Sequence, residues 1–209
     1  MKPKTRIGVE IDTAICAIDA GHGGMLMRKF YTTAGKQFKD FHEGEINRLY
    51  AFELSNQLYL NDVIGFELIE NCPVDVSLKD RIKTLNLLAS KRNNCVSNSI
   101  HCNAAGNGKD WHPAMGSVIF YNAFDKESKK LAQCISARID TDEIPIVHRG
   151  IKPTKSFGMV RKPNMPSALT ELGFMTNKAD HNALKDSQVR QKYCALIAAG
   201  TGDYFKQRV

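Results

Sequence analysis

A short apolar run that ends in a cluster of glycines places the strongest constraint on the fold of this chain. Residues 14–18, Ala-Ile-Cys-Ala-Ile, lead directly into Asp-Ala-Gly-His-Gly-Gly at residues 19–24. A run of this length, closed by turn residues, is typical of a buried strand rather than a helix. We therefore expect a buried strand that stops abruptly at a glycine-rich turn.

Helix and strand signals then alternate along the chain. Apolar residues spaced three or four apart predict an amphipathic helix over residues 43–60. Further strands are expected at residues 66–70, 96–102, 117–121 and 167–172. Ser77 and Ser187 have the chemistry of a helix N-cap and precede two later amphipathic segments, and a further helix is expected to begin at Asp125.

Two regions interrupt this alternation. Residues 25–42 show no helical period. Residues 144–166 hold four of the seven prolines of the chain, which predicts mostly loop, with a short extended piece at residues 157–160.

Strands that alternate with helices predict an α/β fold. We expect a single domain with a twisted, mostly parallel or mixed sheet of about six strands and helices on both faces. Residues 1–13 are expected to form an N-terminal extension and residues 14–209 the domain itself. On such sheets the side chains that do chemistry lie at strand ends and in the loops that follow them.

The charge balance favours an anionic partner. The 29 Lys and Arg residues exceed the 22 Asp and Glu residues, which gives a formal net charge of +7. Nucleic acid, a membrane surface or an acidic polymer such as cell wall would each fit. Residues 20–39 and 144–170 contain basic but no acidic residues, so we expect positive charge around the active groups, although a solvated basic face is the alternative.

Other features of the sequence exclude some of these partners. No apolar run reaches the 18 or so residues of a membrane span. No base-stacking array of aromatic residues or DNA-binding motif is visible, so we expect no nucleic-acid partner. The six cysteines are scattered without a CxxC pair, which is typical of reduced thiols made in a cytoplasm.

Three potential metal ligands lie where a predicted strand ends or a helix begins. They are His22, Glu43 and His101. Two imidazoles and one carboxylate, with one position open for water, form a common catalytic zinc set. Glu43 could instead be a charge that stabilises the start of a helix, and His42 or Glu45 could take its place as ligand.

A carboxylate also ends the last predicted strand. Glu171 follows an apolar segment, where a charged group is unfavourable unless it is solvated, paired or used. It is a candidate general base, with an ion pair to a nearby Lys or Arg as the alternative. The remaining histidines lack a partner at ligand spacing and are expected to have no direct role, apart from the alternative that His42 replaces Glu43: His42, His112, His148 and His181.

Four blocks of sequence together resemble a known family. They occupy residues 19–24, 43–47, 99–104 and 166–177, and the resemblance extends from about residue 15 to residue 204. In order and separation they are similar to the zinc-dependent N-acetylmuramoyl-L-alanine amidases of the type-3 group, which occur among autolysins, sporulation and division amidases and phage endolysins.

The resemblance implies a site and a reaction. It makes His22, Glu43 and His101 the zinc ligands and Glu171 the catalytic carboxylate, with residues 14–209 as the catalytic domain. Asn47 fits the family's pattern, in which Asn lies four residues after the carboxylate ligand. The implied function is a peptidoglycan hydrolase that cleaves the amide bond between N-acetylmuramic acid and L-alanine of the stem peptide in cell-wall lysis or remodelling.

Two departures from the family's pattern are small. Ala20 replaces a proline that is usual at this position, and Cys102 stands where a small residue, often alanine, follows the histidine. Both are compact side chains, so the expected metal geometry is retained.

Two other functions are compatible with these residues. A zinc peptidase or another amidohydrolase could use the same ligands on a different substrate, and a basic module could bind cell wall without catalysis. For the amidase, we expect a monomer that is made in the cytoplasm and acts on the cell wall or in the periplasm, or is secreted if a signal peptide has been removed. Phage endolysin and bacterial autolysin are both open.

Overall fold

The first strand, β1, is buried along its whole length and begins the central sheet. The computed structural model describes residues 13–23, 37–68, 76–141 and 144–208. The expected N-terminal extension therefore lies almost wholly outside the described residues, as do most of the 25–42 region and Cys72.

The elements follow one another in an α/β order. The strands are β1 (Ile15–Ala20), β2 (Gln37–Phe38), β3 (Phe41–His42), β4 (Ile64–Glu67), β5 (Cys95–Asn103), β6 (Ser117–Asn122), β7 (His148–Thr154) and β8 (Ser167–Phe174). The helices are α1 (Glu43–Tyr59), α2 (Leu78–Lys91), α3 (Lys126–Ile139), α4 (Gly158–Arg161), α5 (Lys178–Lys185) and α6 (Ser187–Lys206). Among the described residues, no helix is long and apolar enough to cross a membrane.

Six of the described strands form one mixed sheet in the order β4-β1-β5-β8-β6-β7. Strands β4, β1, β5 and β8 are parallel to one another. Strand β6 is antiparallel to β8, and β7 is parallel to β6. The carboxyl ends of β1, β5 and β8 therefore lie at one edge of the sheet, together with the amino ends of β6 and β7.

Helices cover both faces of this sheet. The side chains of β1 alternate: Cys16 and Ile18 pack into the core beneath α1, α3, α5 and α6, whereas Ile15 and Ala17 pack beneath α2 and α4. The predicted single α/β domain with a mostly parallel, mixed sheet is confirmed.

The 144–166 region, predicted as mostly loop, contains a strand and a short helix that were not predicted. It contains β7, an edge strand in which Pro153 is tolerated because one side of the strand has no neighbour in the sheet. The predicted extended piece at residues 157–160 is also wrong, because α4 begins at Gly158. The backbone of Gly158 packs against the Leu78 side chain. A Cβ atom at Gly158 would lie 3.0 Å from that side chain.

Smaller differences concern helix starts and strand bounds. Helix α5 was not predicted. Helix α6 is capped by Asp186 rather than by Ser187, since the Asp186 carboxylate accepts hydrogen bonds from the amides of Gln188 and Val189. Strand β4 begins and ends earlier than predicted, and residues 69–70 lie outside the described part of the chain.

Helix α6 crosses α3 at a glycine, and this contact gives a test of the fold. A Cβ atom at Gly200 would lie 2.5 Å from Cα of Ile135 and 2.7 Å from the carbonyl oxygen of Cys134. Ala normally stabilises a helix relative to Gly by about 1 kcal/mol. We predict instead that Gly200→Ala lowers the free energy of unfolding by about 1–3 kcal/mol, because the two helices must separate.

The control for this prediction lies two residues further along the same helix. At Gly202 a Cβ atom would meet Asn61 at 3.4 Å, an ordinary contact. Gly202→Ala should therefore raise the free energy of unfolding by about 0.5–1 kcal/mol, measured by urea denaturation. Equal stability of the two alanine variants would contradict the packing of α6 on α3.

Candidate active site

The turn after β1 projects His22 from the edge of the sheet. His22 has a φ of +61°, which is uncommon for a residue other than glycine. The preceding Gly21 is held on both sides: its amide donates to the carbonyl of Ile100 at 2.9 Å, and its carbonyl accepts from Nδ2 of Asn47 at 3.0 Å. These bonds fix the backbone from which His22 extends.

Glu43 is the first residue of α1, and its carboxylate is almost completely buried. Its Oε1 atom accepts a hydrogen bond from the amide of Cys102 at 3.1 Å. The same atom lies 3.1 Å from Nδ1 of His101 and 3.4 Å from Nε2 of His22. Burial alone would raise the pKa of Glu43, but the two imidazoles outweigh burial and hold this pKa well below its usual range. The carboxylate is therefore anionic, as a metal ligand must be.

His101 lies near the end of β5, closely packed against β1. A Cβ atom on Gly21 would lie 2.2–2.5 Å from three atoms of the His101 ring, so only glycine leaves room for the imidazole. The rings of His101 and His22 meet edge to face, with centroids 4.9 Å apart. Burial lowers the pKa of His101, but Glu43 and Glu171 outweigh burial and raise it.

These three side chains could hold a metal ion. One ligand atom from each of His22, Glu43 and His101 lies within 4.8 Å of the others. Imidazole nitrogens and a carboxylate oxygen are the donors of many three-ligand catalytic zinc sites. The competing ligands are placed differently: Glu45 is exposed, and His42 is the N-cap residue of α1 without a side-chain capping bond.

Glu171 lies beside this cluster on the next strand. It pairs with His101 in the parallel register of β5 and β8. Paired residues of neighbouring strands project from the same face of a sheet. Glu171 is half-buried, and its charge contributes to the raised pKa of His101. The structure thus brings all four sequence-predicted side chains to one edge of the sheet.

Three other histidines lie outside this cluster and make hydrogen-bond contacts with hydroxyl or backbone groups. The His148 ring lies between the hydroxyls of Ser117 and Ser136, at 2.9 and 2.8 Å, and burial lowers its pKa. His181 contacts the carbonyl of Met175. His112 accepts a hydrogen bond from the nearby amide of residue 114.

The expected ring of positive charge is only partly present. Arg149 lies at the site edge, where its guanidinium is 5.6 Å from the ring centroid of Phe174. Lys155 and Arg161 lie at the opposite edge beside Phe124, because β6 and β7 run against the direction of β8. Much of the other basic stretch, residues 24–36, lies outside the described residues.

One feature of this edge involves a partner that the local sequence does not identify. Asp19 and Arg81 form a buried ion pair next to the turn that carries His22, with Nη1 of Arg81 2.6 Å from Oδ1 of Asp19. The two residues are 62 positions apart. A charged residue within a buried strand is the one hint that such a partner exists.

The chain matches a described family over most of its length. Residues 16–202 match the type-3 amidases, described as N-acetylmuramoyl-L-alanine amidase. The chain belongs to this amidase family. The match includes the four residues of the site described above, and it confirms the resemblance carried by the sequence blocks.

Individual amidases show how far the similarity extends. An uncharacterized cell wall amidase of Bacillus anthracis is 35% identical over 126 residues, 56% of this chain and 22% of that protein. The N-acetylmuramoyl-L-alanine amidase LytC of Bacillus subtilis is 32% identical over 110 residues, 52% of this chain and 21% of that protein. The chain therefore spans about a fifth of the length of these two curated relatives.

A solved amidase structure covers nearly the whole chain. The N-acetylmuramoyl-L-alanine amidase from Clostridium difficile 630 superimposes with a TM-score of 0.79 at 26% identity, over 95% of this chain and 100% of that one. The sheet and helices described above are therefore those of an amidase domain.

The close approach of Gly21 to His101 gives a test of the site. Gly21→Ala would push a methyl group into the imidazole ring and displace it from Glu43. We predict that the affinity for added Zn²⁺ falls by about 10- to 100-fold, as for other changes that disturb the orientation of a metal ligand. Competition with a chelator measures this affinity.

Gly44→Ala is the matched control, because a Cβ atom there would lie 3.5 Å from the backbone of His22, an ordinary contact. Its Zn²⁺ affinity should stay close to that of the parent. Unchanged affinity in Gly21→Ala would show that the imidazole is not held where the structure places it.

Proposed function

We propose that this chain is a zinc-dependent peptidoglycan hydrolase that cleaves the amide bond between N-acetylmuramic acid and L-alanine. The observation that carries the proposal is the convergence of His22, Glu43 and His101 within 4.8 Å, in a chain of the amidase family. His22, Glu43 and His101 are assigned as the zinc ligands and Glu171 as the catalytic carboxylate.

The charge of Glu43 and the hydrogen bonds that orient its carboxylate suit a zinc ion. Glu43 supplies one negative charge, and the Cys102 amide and the Asn47 side chain orient its carboxylate. The chemistry supplied by bound zinc is Lewis acidity toward a water molecule and toward the lactyl carbonyl of the substrate. A site of three protein ligands leaves room for that water.

Glu171 is assigned the proton transfers. Glu171 lies on β8, beside the strand that carries His101, at the same edge of the sheet. It takes a proton from the attacking water, and the water oxygen bonds to the carbonyl carbon. When the carbon–nitrogen bond breaks, Glu171 returns the proton to the nitrogen of L-alanine. The remaining water proton then passes from the new carboxyl group to the released amine, and the products are the lactyl carboxylate of the glycan strand and a free stem peptide.

The test is the hydrolysis of purified peptidoglycan by the full chain, with Glu171→Gln as the variant. The parent should release peptides with a new N-terminal L-alanine, lose this activity with a chelator and regain it with Zn²⁺. Glu171→Gln keeps the size of the side chain but cannot accept a proton. We predict that it retains zinc while turnover falls by about 10²- to 10⁴-fold.

His112→Ala is a suitable control, because this half-buried imidazole lies outside the ligand cluster and contacts a nearby backbone amide. It should retain both zinc and activity. Release of zinc by Glu171→Gln would make Glu171 a ligand, and activity within a few-fold of the parent would assign it a structural role. A different new amino terminus in the product would indicate a peptidase instead.

A further inference from the structure

A buried carboxylate connects three elements next to the turn that carries His22. Oδ1 of Asp19 accepts a hydrogen bond from Nη1 of Arg81 at 2.6 Å, and Oδ2 accepts one from the Ser99 hydroxyl at 2.5 Å. Asp19 lies on β1, Arg81 on α2 and Ser99 on β5, and all three are almost completely buried. We call these three residues the Asp19 network.

A buried ion pair is by itself weak evidence for a role in stability. Removing two charges from water costs free energy that their attraction repays only when the geometry is excellent, and apolar side chains of similar size often stabilise a protein as well. The ion pair here is supported by further hydrogen bonds. Nη1 of Arg81 also donates to the carbonyl of Ala20 at 2.7 Å, and its Nε donates to the carbonyl of Val76 at 2.8 Å.

The position of the network relative to the site is specific. Asp19 lies three residues before His22, and Ser99 lies two residues before His101. Asp19 and Ser99 are direct partners in the parallel register of β1 and β5. The network therefore joins β1, near its end, to the middle of β5, two residues before the His101 imidazole.

The close packing of Gly21 against His101 leaves little room for β1 to shift against β5. The His101 ring occupies the space that a Cβ atom on Gly21 would fill. A small shift of β1 against β5 would therefore move His22 relative to His101, and the three ligand atoms of the cluster would no longer lie within reach of one metal ion.

We infer that Asp19, Arg81 and Ser99 are positioning residues that set the separation of His22 and His101 and thereby the affinity of the centre for zinc. The inference rests on the proposed zinc centre. It assigns to the network no contact with the substrate and no part in proton transfer.

The same strand offers a matched control. Ser97 is as buried as Ser99 and projects from the same face of β5, two residues further from His101. Its hydroxyl also donates a hydrogen bond, to Oγ of Ser167 at 2.8 Å. Replacing either serine with alanine removes one buried hydroxyl and its bond, but only Ser99 contacts Asp19.

The experiment compares Ser99→Ala and Ser97→Ala in the full chain. Affinity for Zn²⁺ is measured by competition with a chelator, and the melting temperature of the zinc-free protein reports the structural cost. Both variants should lower the melting temperature, Ser99→Ala somewhat more, because its hydroxyl bonds a buried carboxylate. We expect Ser99→Ala to bind Zn²⁺ about 10-fold more weakly than the parent, in the range seen when residues that orient metal ligands are changed. Ser97→Ala should match the parent within about two-fold.

A third variant tests the guanidinium. Arg81→Lys retains the positive charge but cannot reproduce the contacts that Nη1 and Nε make with separate partners. It should weaken Zn²⁺ binding at least as much as Ser99→Ala. Equal loss of affinity in both serine variants, or no loss in Ser99→Ala and Arg81→Lys, would overturn the inference.

The measurements distinguish a failure of this inference from a failure of the proposed function. A parent chain that binds Zn²⁺ but leaves the muramoyl–alanine bond intact would contradict the proposed function, and the serine comparison would still decide the role of the network. A parent chain that binds no Zn²⁺ would overturn both.

Discussion

The buried carboxylate of Glu43 is the interaction on which the geometry of the site depends. A carboxylate that is 1% exposed must have several polar partners. These partners are the Cys102 amide and the His101 ring on β5, and the His22 ring in the turn after β1. One side chain thus fixes the start of α1 against the sheet and brings both imidazoles to the same oxygen atom.

The direction of the strands explains which side chains reach this point. Strands β1, β5 and β8 are parallel neighbours, so residues at their carboxyl ends, which lie far apart in the sequence, meet at one edge. Strands β6 and β7 run the other way. For this reason Arg149 lies at the site edge, whereas Lys155 and Arg161 lie at the opposite edge of the same sheet.

Much of the fold and the site could be predicted because their signals are local. Each ligand candidate lies where an apolar segment ends or a helix begins, and the alternation of strands and helices then predicts a shared edge. The elements that were missed depend on tertiary contacts. Strand β7 tolerates Pro153 because it is an edge strand, and α4 begins where Gly158 packs against Leu78. The contact of Asp19 with Arg81 joins residues 62 positions apart and has no local signal.

The central claim is that His22, Glu43 and His101 hold one zinc ion together. Anomalous diffraction at the zinc absorption edge, from crystals of the zinc-loaded chain, tests it most directly. The predicted result is a single strong peak about 2.0–2.2 Å from one nitrogen of each imidazole and from a Glu43 oxygen. A peak bound by other side chains, or by only two of these three, would contradict the claim.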